Sequence, residues 1–482
     1  MGISRRKMLA GLAAGGAALA APARLAAQAA AIRLKTGEEL VADAGLGGDV
    51  GYVVADARSG LVLEAKNGNR AMAPASTAKV VTSLYALANL GGGYRFVTRV
   101  LASGPVSGGQ VQGDLILAGG GDPTLDTDGL ADLAARLAKA GVKGVTGRFF
   151  VWGGALPYAP EIADDQPVHV GYNPSISGLI LNYNRVHFEW KRAQGGYALG
   201  MDARSERLVP KVFTAEVKLA RREAPLFDYR QQGGKEVWTV AEGSLNKAGS
   251  RWLPVRLPEI YAGDVFQTLA RAQGLRLPAP EPLGALPAGA VVVAERASAA
   301  LPTILRDMMR YSTNITAEAV GMTASAASGA AAARGRSGAA MSAWLKGRLG
   351  GGAVALVDHS GLGAENRIAP HDMVRAMALL GPKAGLRGLM KPFALRDESG
   401  GKVPDAGFRV DAKTGTLNFV STLAGYMTAP DGTELVFAIF TGDLARRARS
   451  KNSESPEGSG GWVRRSKILQ SQLLSRWAAL YG

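Results

Sequence analysis

The sequence predicts an α/β (α+β) fold in which a domain of helices and a sheet is split by a long, strand-rich insertion. Three observations favour this architecture. Apolar residues recur at helical spacing over about 76–90 and 301–346, and strand patterns fill 408–441. Between these regions, residues 94–290 contain many short apolar runs separated by glycine and proline. Because the chain has 482 residues, more than one domain is expected.

Both ends of the split domain carry recognisable elements. Two apolar runs, Gly51–Asp56 and Leu61–Lys66, flank a glycine-containing turn and predict a β-hairpin. Pro74-Ala75-Ser76 then opens a helix that continues to about Leu90. Three strands and a final helix are expected near the C-terminus, at Phe408–Lys413, Ser421–Thr428, Glu434–Thr441 and about Arg464–Leu480.

The insertion is interpreted as two smaller domains, one nested within the other. Helical patterns at Leu130–Ala140 and Ala262–Ala272 lie on either side of the nested part. The boundaries assign 1–29 to a leader, 30–93 and 293–482 to the split domain, 94–170 and 255–292 to the first inserted domain, and 171–254 to the nested domain.

Residues 1–29 resemble an export signal. A basic start, Arg5-Arg6-Lys7, precedes an apolar stretch that is too short to span a membrane. Small residues at Ala27 and Ala29 form an A-x-A-like cleavage site. The paired arginines resemble a twin-arginine signal, which exports folded proteins. We therefore expect an exported, periplasmic protein whose mature part is soluble.

The net charge and the absence of cysteine exclude some classes of function for this protein. The chain has 56 basic and 40 acidic residues, a net charge of +16, which falls to +12 without the leader because the leader holds four basic residues and no acidic one. A basic protein suits polyanionic partners such as nucleic acid, anionic lipid or cell-wall polymer, but an exported protein is a poor candidate for nucleic acid. With no cysteine, disulfides and a thiol nucleophile are excluded.

Three short patterns in the sequence carry chemistry, and each occurs more than once. Ser-x-x-Lys begins at Ser4, Ser76 and Ser399, among other positions, Ser-x-Asn at Ser244, Ser312 and Ser450, and Lys-Thr-Gly at Lys35 and Lys413. Only Ser76 stands at a helix start, where Lys79 shares its face and backbone N–H groups surround the hydroxyl. Lys79 can act as a base only if burial and a nearby cation, which we expect to be Lys413, lower its pKa.

One ordered set of copies has a suitable context throughout. Ser312-Thr313-Asn314 falls between two helical stretches, and Lys413-Thr414-Gly415-Thr416 follows one strand and precedes another. A glycine at position 415 lets a ligand backbone approach closely. The other copies fall in the leader, the N-terminal segment, surface turns, or the wrong order along the chain.

This set resembles the penicillin-binding proteins and serine β-lactamases, and most closely the low-molecular-mass class C D-Ala-D-Ala carboxypeptidases/endopeptidases with a large insertion. The supporting segments are Pro74–Lys79, Gly119–Leu125, Leu181–Arg185, Tyr311–Glu318, Asp358–Leu362, Asn366-Arg367, Lys413–Leu417 and Leu423–Tyr426. The resemblance implies a transpeptidase-like domain, an antiparallel sheet flanked by helices, and a serine carboxypeptidase that acts on peptidoglycan stem peptides and is acylated by β-lactam inhibitors.

The resemblance also implies a role for each residue in acyl transfer. Ser76 would attack the carbonyl between two D-alanines while Lys79 takes its proton. Ser312, oriented by Lys413, would relay a proton to the leaving amine. The N–H groups of Ser76 and Thr416 would form the oxyanion hole.

Substrate recognition is implied at the same place. Asn314 would hydrogen-bond the substrate amide, and Lys413, Thr414 and Thr416 would bind its terminal carboxylate beside Gly415. Asp122, in a Gly-Asp-Pro-Thr loop, matches the family residue that lies near the substrate side chain; a plain turn aspartate is the alternative. The family often has a basic residue where this chain has Gly363-Ala364-Glu365.

Parts of the sequence also fit other functions. A penicillin hydrolase of the β-lactamase type, or a weakly catalytic peptidoglycan-binding scaffold, would use the same fold. Asp358-His359-Ser360 spells a catalytic triad, but adjacent residues cannot converge as one. The scattered histidines lack metal spacing, and no metal or cofactor is implied. The last helix could associate weakly with a membrane surface, although packing on the sheet is favoured. The sequence makes no prediction of oligomeric state.

Overall fold

A computed structural model of the protein describes residues 34–482 and confirms the α/β fold. The proposed leader at 1–29 lies outside these residues. In the described part of the chain, no helix is both long enough and apolar enough to cross a membrane.

The first part of the split domain contains two helices and the expected hairpin. In chain order the elements are α1 (Gly37–Ala44), β1 (Asp49–Asp56), β2 (Val62–Lys66) and α2 (Ala78–Leu90). The strands β1 and β2 pair antiparallel. A short 3₁₀ turn, Ala75–Thr77, precedes α2 and is continuous with it.

The insertion is built from small sheets. Its elements are β3 (Val97–Ala102), β4 (Val106–Ser107), β5 (Gln110–Val111), β6 (Leu115–Ala118), α3 (Thr127–Lys139), β7 (Gly144–Val145), β8 (Phe149–Trp152), β9 (Arg185–Ala193), β10 (Gly196–Asp202), β11 (Ala215–Ala220), β12 (Phe227–Gln232), β13 (Lys235–Ala241), β14 (Ala248–Pro254), α4 (Pro258–Ala272), β15 (Pro280–Pro282) and β16 (Val291–Ala297). A five-stranded sheet has the order β15-β8-β6-β3-β16, and β9 to β14 form two three-stranded sheets within the range 171–254. The sequence boundary at residue 292 cuts through β16, which pairs with β3 as far as Ala297.

The chain then returns to the split domain. The elements are α5 (Leu301–Tyr311), α6 (Asn314–Ala327), α7 (Arg334–Leu349), β17 (Val354–Ala355), β18 (Arg367–Ile368), α8 (Pro370–Ala384), β19 (Lys391–Pro392), β20 (Arg409–Leu417), β21 (Val420–Thr428), β22 (Glu434–Gly442), α9 (Leu444–Arg449) and α10 (Ser459–Tyr481). The main sheet has the order β19-β20-β21-β22-β1-β2.

The main sheet is buried on both faces, which explains its nearly continuous apolar strands. Along β22, Val436 and Phe440 face a core formed with α2 and α5 to α8, whereas Phe437 and Ile439 face α1 and α10. Trp477 of α10 is fully buried in this second core. The apolar face of the last helix therefore packs on the sheet, as the favoured interpretation of the sequence expected.

Candidate active site

Ser76 lies in the 3₁₀ turn that leads into α2. Two hydroxyl groups hold this turn, because Thr77 Oγ1 and Thr422 Oγ1 both donate to the carbonyl of Pro74, at 2.6 and 2.7 Å. The preceding residue, Ala75, has a φ of +44°, a conformation that non-glycine residues rarely adopt. Strained positions of this kind cluster at active sites, and here the strain lies directly beside the candidate nucleophile.

Lys79 is fully buried one turn after Ser76. Its Nζ lies 3.1 Å from Ser76 Oγ, 2.8 Å from Asn314 Oδ1 and 2.8 Å from the carbonyl oxygen of Ser360. These three oxygen atoms surround the amine and fix its direction. The arrangement places a lysine nitrogen within reach of the serine proton, as a general base requires.

Burial sets the basicity of Lys79. It lowers the pKa of the amine to about 7, against the opposing charges of Glu318 and Asp358. The loss of water therefore has the effect that the sequence predicted. Burial lowers the pKa of Lys413 well below its usual value, and the charge of Lys79 lowers it further. A lysine with a pKa near 7 is substantially neutral at neutral pH and can accept a proton.

The segment Ser312-Thr313-Asn314 joins α5 to α6 and faces Lys79. Ser312 ends α5 with a φ of +59°, and Asn314 is the first residue of α6. Asn314 Nδ2 donates to the carbonyl of Tyr172 at 3.0 Å, so the same side chain contacts both Lys79 and the inserted part of the chain.

Lys413 brings a second amine to the site. Its Nζ donates to Ser312 Oγ at 2.9 Å and to the carbonyl of Thr414 at 2.6 Å. Contrary to the sequence-based expectation, the Lys-Thr-Gly segment lies inside a strand, because β20 continues to Leu417. Lys413 is buried, with only 1% of its surface accessible to solvent.

The second half of β20 is available for pairing. Strand β19 pairs with β20 only at Asp411 and Ala412, so in the described part of the chain one edge of 413–417 has no strand partner. Thr416 lines the same cavity as Ser76. A peptide can add to such an edge through main-chain hydrogen bonds.

A cavity of about 500 Å³ opens over these residues. Ser76, Ser312, Asn314 and Thr416 line its floor, and the inserted part contributes Gln166 and Tyr172. An acidic residue, Glu454, also lines it, but its carboxylate is held by Arg251 at 2.5 Å and His169 at 3.0 Å. The cavity is large enough for a short peptide and polar on the side of the nucleophile.

Asp122 is not among the residues that line this cavity. Its carboxyl group is buried; Oδ1 accepts from the N–H and Oγ1 of Thr124, at 2.9 and 2.7 Å, and Oδ2 lies 3.8 Å from Arg296. These contacts are those of a turn aspartate. They favour the alternative of a turn aspartate over a contact with the substrate side chain, which stays a prediction.

The other motif copies within residues 34–482, at Ser244, Ser399, Ser450 and Lys35, do not line the cavity. Ser399 donates to Asp397 in an exposed loop, Ser244 donates to the Ala241 carbonyl, and Lys35 pairs with Asp43. The ring of His359 contacts Ser337 and Met341, not Ser360. Burial lowers the pKa of His359 to about 3, so this histidine is a neutral core residue.

One group within residues 34–482 has the residue types of a metal site: His187, Glu189 and Asp202. The guanidinium group of Arg204 donates to both carboxylates, at 2.6–2.9 Å. A cation is thus already supplied by the protein, and we assign no metal there.

Two further features of the site were not found from the sequence. The backbone of Ser360 accepts from Lys79, and the buried Glu318 holds the segment that contains Ser360. Ser360 and Glu318 lie in segments on which the family resemblance rests, but the sequence pattern does not predict their contacts. Lys79 and Ser360 are 281 positions apart, and Glu318 and Ser360 are 42 positions apart.

A Ser-x-x-Lys pair at a helix start, beside a Lys-Thr-Gly strand, is the arrangement of the serine acyl-enzyme hydrolases that bind penicillin. The D-Ala-D-Ala carboxypeptidase 3 (S13) family matches residues 35–458. The chain belongs to this family.

Characterised relatives agree with this assignment. The chain is 29% identical to a D-alanyl-D-alanine carboxypeptidase of Actinomadura sp., over 83% of this chain and 79% of that protein. It is 24% identical to D-alanyl-D-alanine carboxypeptidase DacB of Haemophilus influenzae, over 84% and 88%. The crystal structure of penicillin binding protein 4 from H. influenzae superimposes with a TM-score of 0.71 at 22% identity, covering 91% of this chain and 99% of that one. That protein has also been crystallised with a β-lactam.

Proposed function

We propose that this protein is a serine-type D-Ala-D-Ala carboxypeptidase that acts on peptidoglycan stem peptides through an acyl-enzyme. The observation that carries the proposal is the buried Lys79 amine, 3.1 Å from Ser76 Oγ and with a pKa of about 7. Membership of the family and the names of its relatives support the substrate class. The same reaction on a cross-link between stem peptides is DD-endopeptidase activity.

Acylation begins when Ser76 Oγ attacks the carbonyl carbon between the two D-alanines and its proton passes to Lys79 Nζ. The N–H groups of Ser76 and Thr416 stabilise the oxyanion, at about 3–4 kcal/mol for each donor. Ser312 Oγ, held by Lys413, then gives its proton to the leaving amine and is reprotonated with the proton that Lys79 took from Ser76, so that the hydroxyl group and the lysine both return to their neutral forms. Water then hydrolyses the ester on Ser76 and releases the shortened peptide.

Strand β20 recognises the free C-terminus of the substrate peptide. The substrate pairs with the unpartnered edge of 413–417, beside the nucleophile turn. Lys413, Thr414 and Thr416 bind the terminal carboxylate, which favours the charged form of Lys413 once substrate is present. Asn314 donates to the substrate amide, in exchange for its contact with Tyr172.

Penicillins acylate the same serine, because their strained amide occupies the place of the D-Ala-D-Ala bond. In a β-lactamase an extra group must activate the deacylating water. Glu454 is an acid that lines the cavity, but its ion pair with Arg251 and its hydrogen bond with His169 occupy it. We therefore favour slow turnover of penicillin and productive turnover of peptide.

We also propose that the protein works in the periplasm after export. This part of the proposal is supported by the basic, apolar and small-residue pattern of residues 1–29. Peptidoglycan is an anionic polymer, so the basic charge of the mature chain suits the same location.

Release of D-alanine from a stem-peptide analogue ending in D-Ala-D-Ala, measured beside hydrolysis of a penicillin, tests the proposed function. We expect release of D-alanine that a penicillin blocks, with far slower hydrolysis of the penicillin itself. Rapid penicillin hydrolysis without D-alanine release would favour the β-lactamase alternative, and neither reaction would favour the scaffold.

A further inference from the structure

A buried carboxyl group lies behind the candidate base. Glu318 is fully buried on α6, one turn after Asn314. Its carboxyl group accepts from the N–H of His359 at 3.2 Å and from the N–H of Ser360 at 2.9 Å. A buried carboxyl group lowers stability unless its partners compensate. The partners of Glu318 belong to the segment around Ser360, so its role is expected to act through that segment.

That segment, 358–363, presses against the nucleophile turn. Gly361 has a φ of +78°, and a Cβ there would lie 1.8 Å from the carbonyl oxygen of Ala75. Asp358 accepts from the N–H groups of Gly361 and Gly363, both at 2.7 Å, which fixes the local turn. Glu318 ties this turn to α6 by hydrogen bonds to its backbone.

The carbonyl of Ser360 completes the surroundings of Lys79. A neutral amine has two N–H bonds and one lone pair. The oxygens of Ser360 and Asn314, each 2.8 Å from Nζ, take up the two N–H bonds. The lone pair is then left for the Ser76 hydroxyl. Both acceptors depend on α6, since Asn314 belongs to it and Ser360 is held by Glu318.

We propose that Glu318 is a positioning residue that aims the Ser360 carbonyl at Lys79 and compensates the positive charge that Lys79 gains from the Ser76 proton. This inference deepens the proposed function and rests on it. Glu318 does not touch the substrate, so its effect passes through the base.

The charges around Glu318 support this role. Lys79 of α2, Asp358 and the neutral His359 of the segment, and Arg334 of α7 face it, and Lys413 of β20 lies beyond Lys79. Burial and the charge of Asp358 raise the pKa of Glu318, whereas the hydrogen bonds from Ser360 and His359 and the charge of Arg334 favour its ionised form. Glu318 and Lys79 lie in one buried cluster, so the charge of each affects the titration of the other. An ionised Glu318 raises the pKa of Lys79, so its removal moves that pKa down.

Pre-steady-state acylation by penicillin, followed from pH 5 to 9 in the full chain, tests the inference. Glu318→Gln keeps an oxygen acceptor but cannot carry charge. We expect its rate to rise with a midpoint at lower pH than in the wild type. Its maximal acylation rate should fall about tenfold to hundredfold, less than loss of a general base costs, with the dissociation constant for penicillin unchanged.

Two further variants separate charge from folding. Glu318→Asp keeps the charge but shortens the reach, so its maximal rate should fall while its midpoint stays near that of the wild type. Thr82→Val removes another contact to the same segment, from Thr82 Oγ1 to the His359 carbonyl at 2.6 Å, and should leave the midpoint in place. A wild-type midpoint in Glu318→Gln, or a wild-type rate in Glu318→Asp, would overturn the inference. If the wild type forms no adduct, the proposed function itself fails instead.

Discussion

Gly415 faces the backbone nitrogen of Ser76 so closely that a Cβ at position 415 would lie 2.9 Å from that nitrogen. The same Cβ would lie 2.2 Å from Thr422 Oγ1, the hydroxyl group that holds the carbonyl of Pro74. The distance between the substrate-binding strand and the nucleophile turn therefore depends on the absence of a side chain at position 415.

Gly415→Ala should accordingly reduce penicillin acylation by about a hundredfold, because a displacement of about 1 Å in an active site has that effect. The measurement is the second-order acylation rate with labelled penicillin. Gly347→Ala is the matched control: outside its own helix backbone and its chain neighbours, no atom lies within 4 Å of a Cβ there, and alanine in a helix stabilises by about 0.5–1 kcal/mol. Normal acylation by Gly415→Ala would show that the contact is not critical.

Acylation should rise with pH through a midpoint near 7, since burial lowers the pKa of Lys79 to about 7. Below the midpoint, the protonated fraction grows and the rate falls about tenfold per pH unit. Lys79→Ala should remove this rise and lower the rate by about 10²–10⁴-fold. Lys413→Met, which retains the apolar bulk, should keep the midpoint well below that of a free lysine, because burial is the largest cause of the low pKa of Lys79. An unchanged profile in Lys79→Ala would exclude Lys79 as the base.

Lys413 should determine selectivity for a free C-terminal carboxylate. Charge-assisted hydrogen bonds contribute about 1.5–3 kcal/mol, so Lys413→Met should reduce kcat/KM for a D-Ala-D-Ala acid by tenfold or more. Turnover of the C-terminally amidated peptide, which has no such charge, should change much less. Equal losses on both peptides would assign Lys413 to proton transfer alone.

Asp122→Asn should affect stability but not substrate binding. Its carboxyl group accepts from Thr124 and faces Arg296 inside the protein. An asparagine amide turned toward that guanidinium group should lower the free energy of unfolding by about 1–2 kcal/mol. Thermal unfolding and KM for stem-peptide analogues check this; a large rise in KM at unchanged stability would restore Asp122 to the substrate site.

Local sequence context was sufficient to choose Ser76, Ser312 and Lys413 among the motif copies. A helix start, a helix junction and a strand are local features, and the hydrophobic pattern reports them. The sequence predicts a strand that ends at Lys413, whereas β20 continues to Leu417. The predicted strand is too short because Gly415 weakens the strand pattern.

Long-range contacts could not be predicted in this way. The pKa of Lys79 depends on burial by α6 and by the segment 358–363, far away in sequence. For the same reason the role of Glu318 was not visible. For Asp122 the local sequence fits a turn aspartate and a substrate ligand equally well, and only its contacts in the fold favour the turn aspartate.

The most direct test of the account is the site of the penicillin adduct. The full chain is treated with penicillin, digested, and the modified peptide is sequenced by mass spectrometry. The account predicts one adduct, on Ser76, and none in Ser76→Ala while thermal unfolding of that variant remains cooperative. An adduct on another residue, such as Ser399, or undiminished labelling of Ser76→Ala would contradict it.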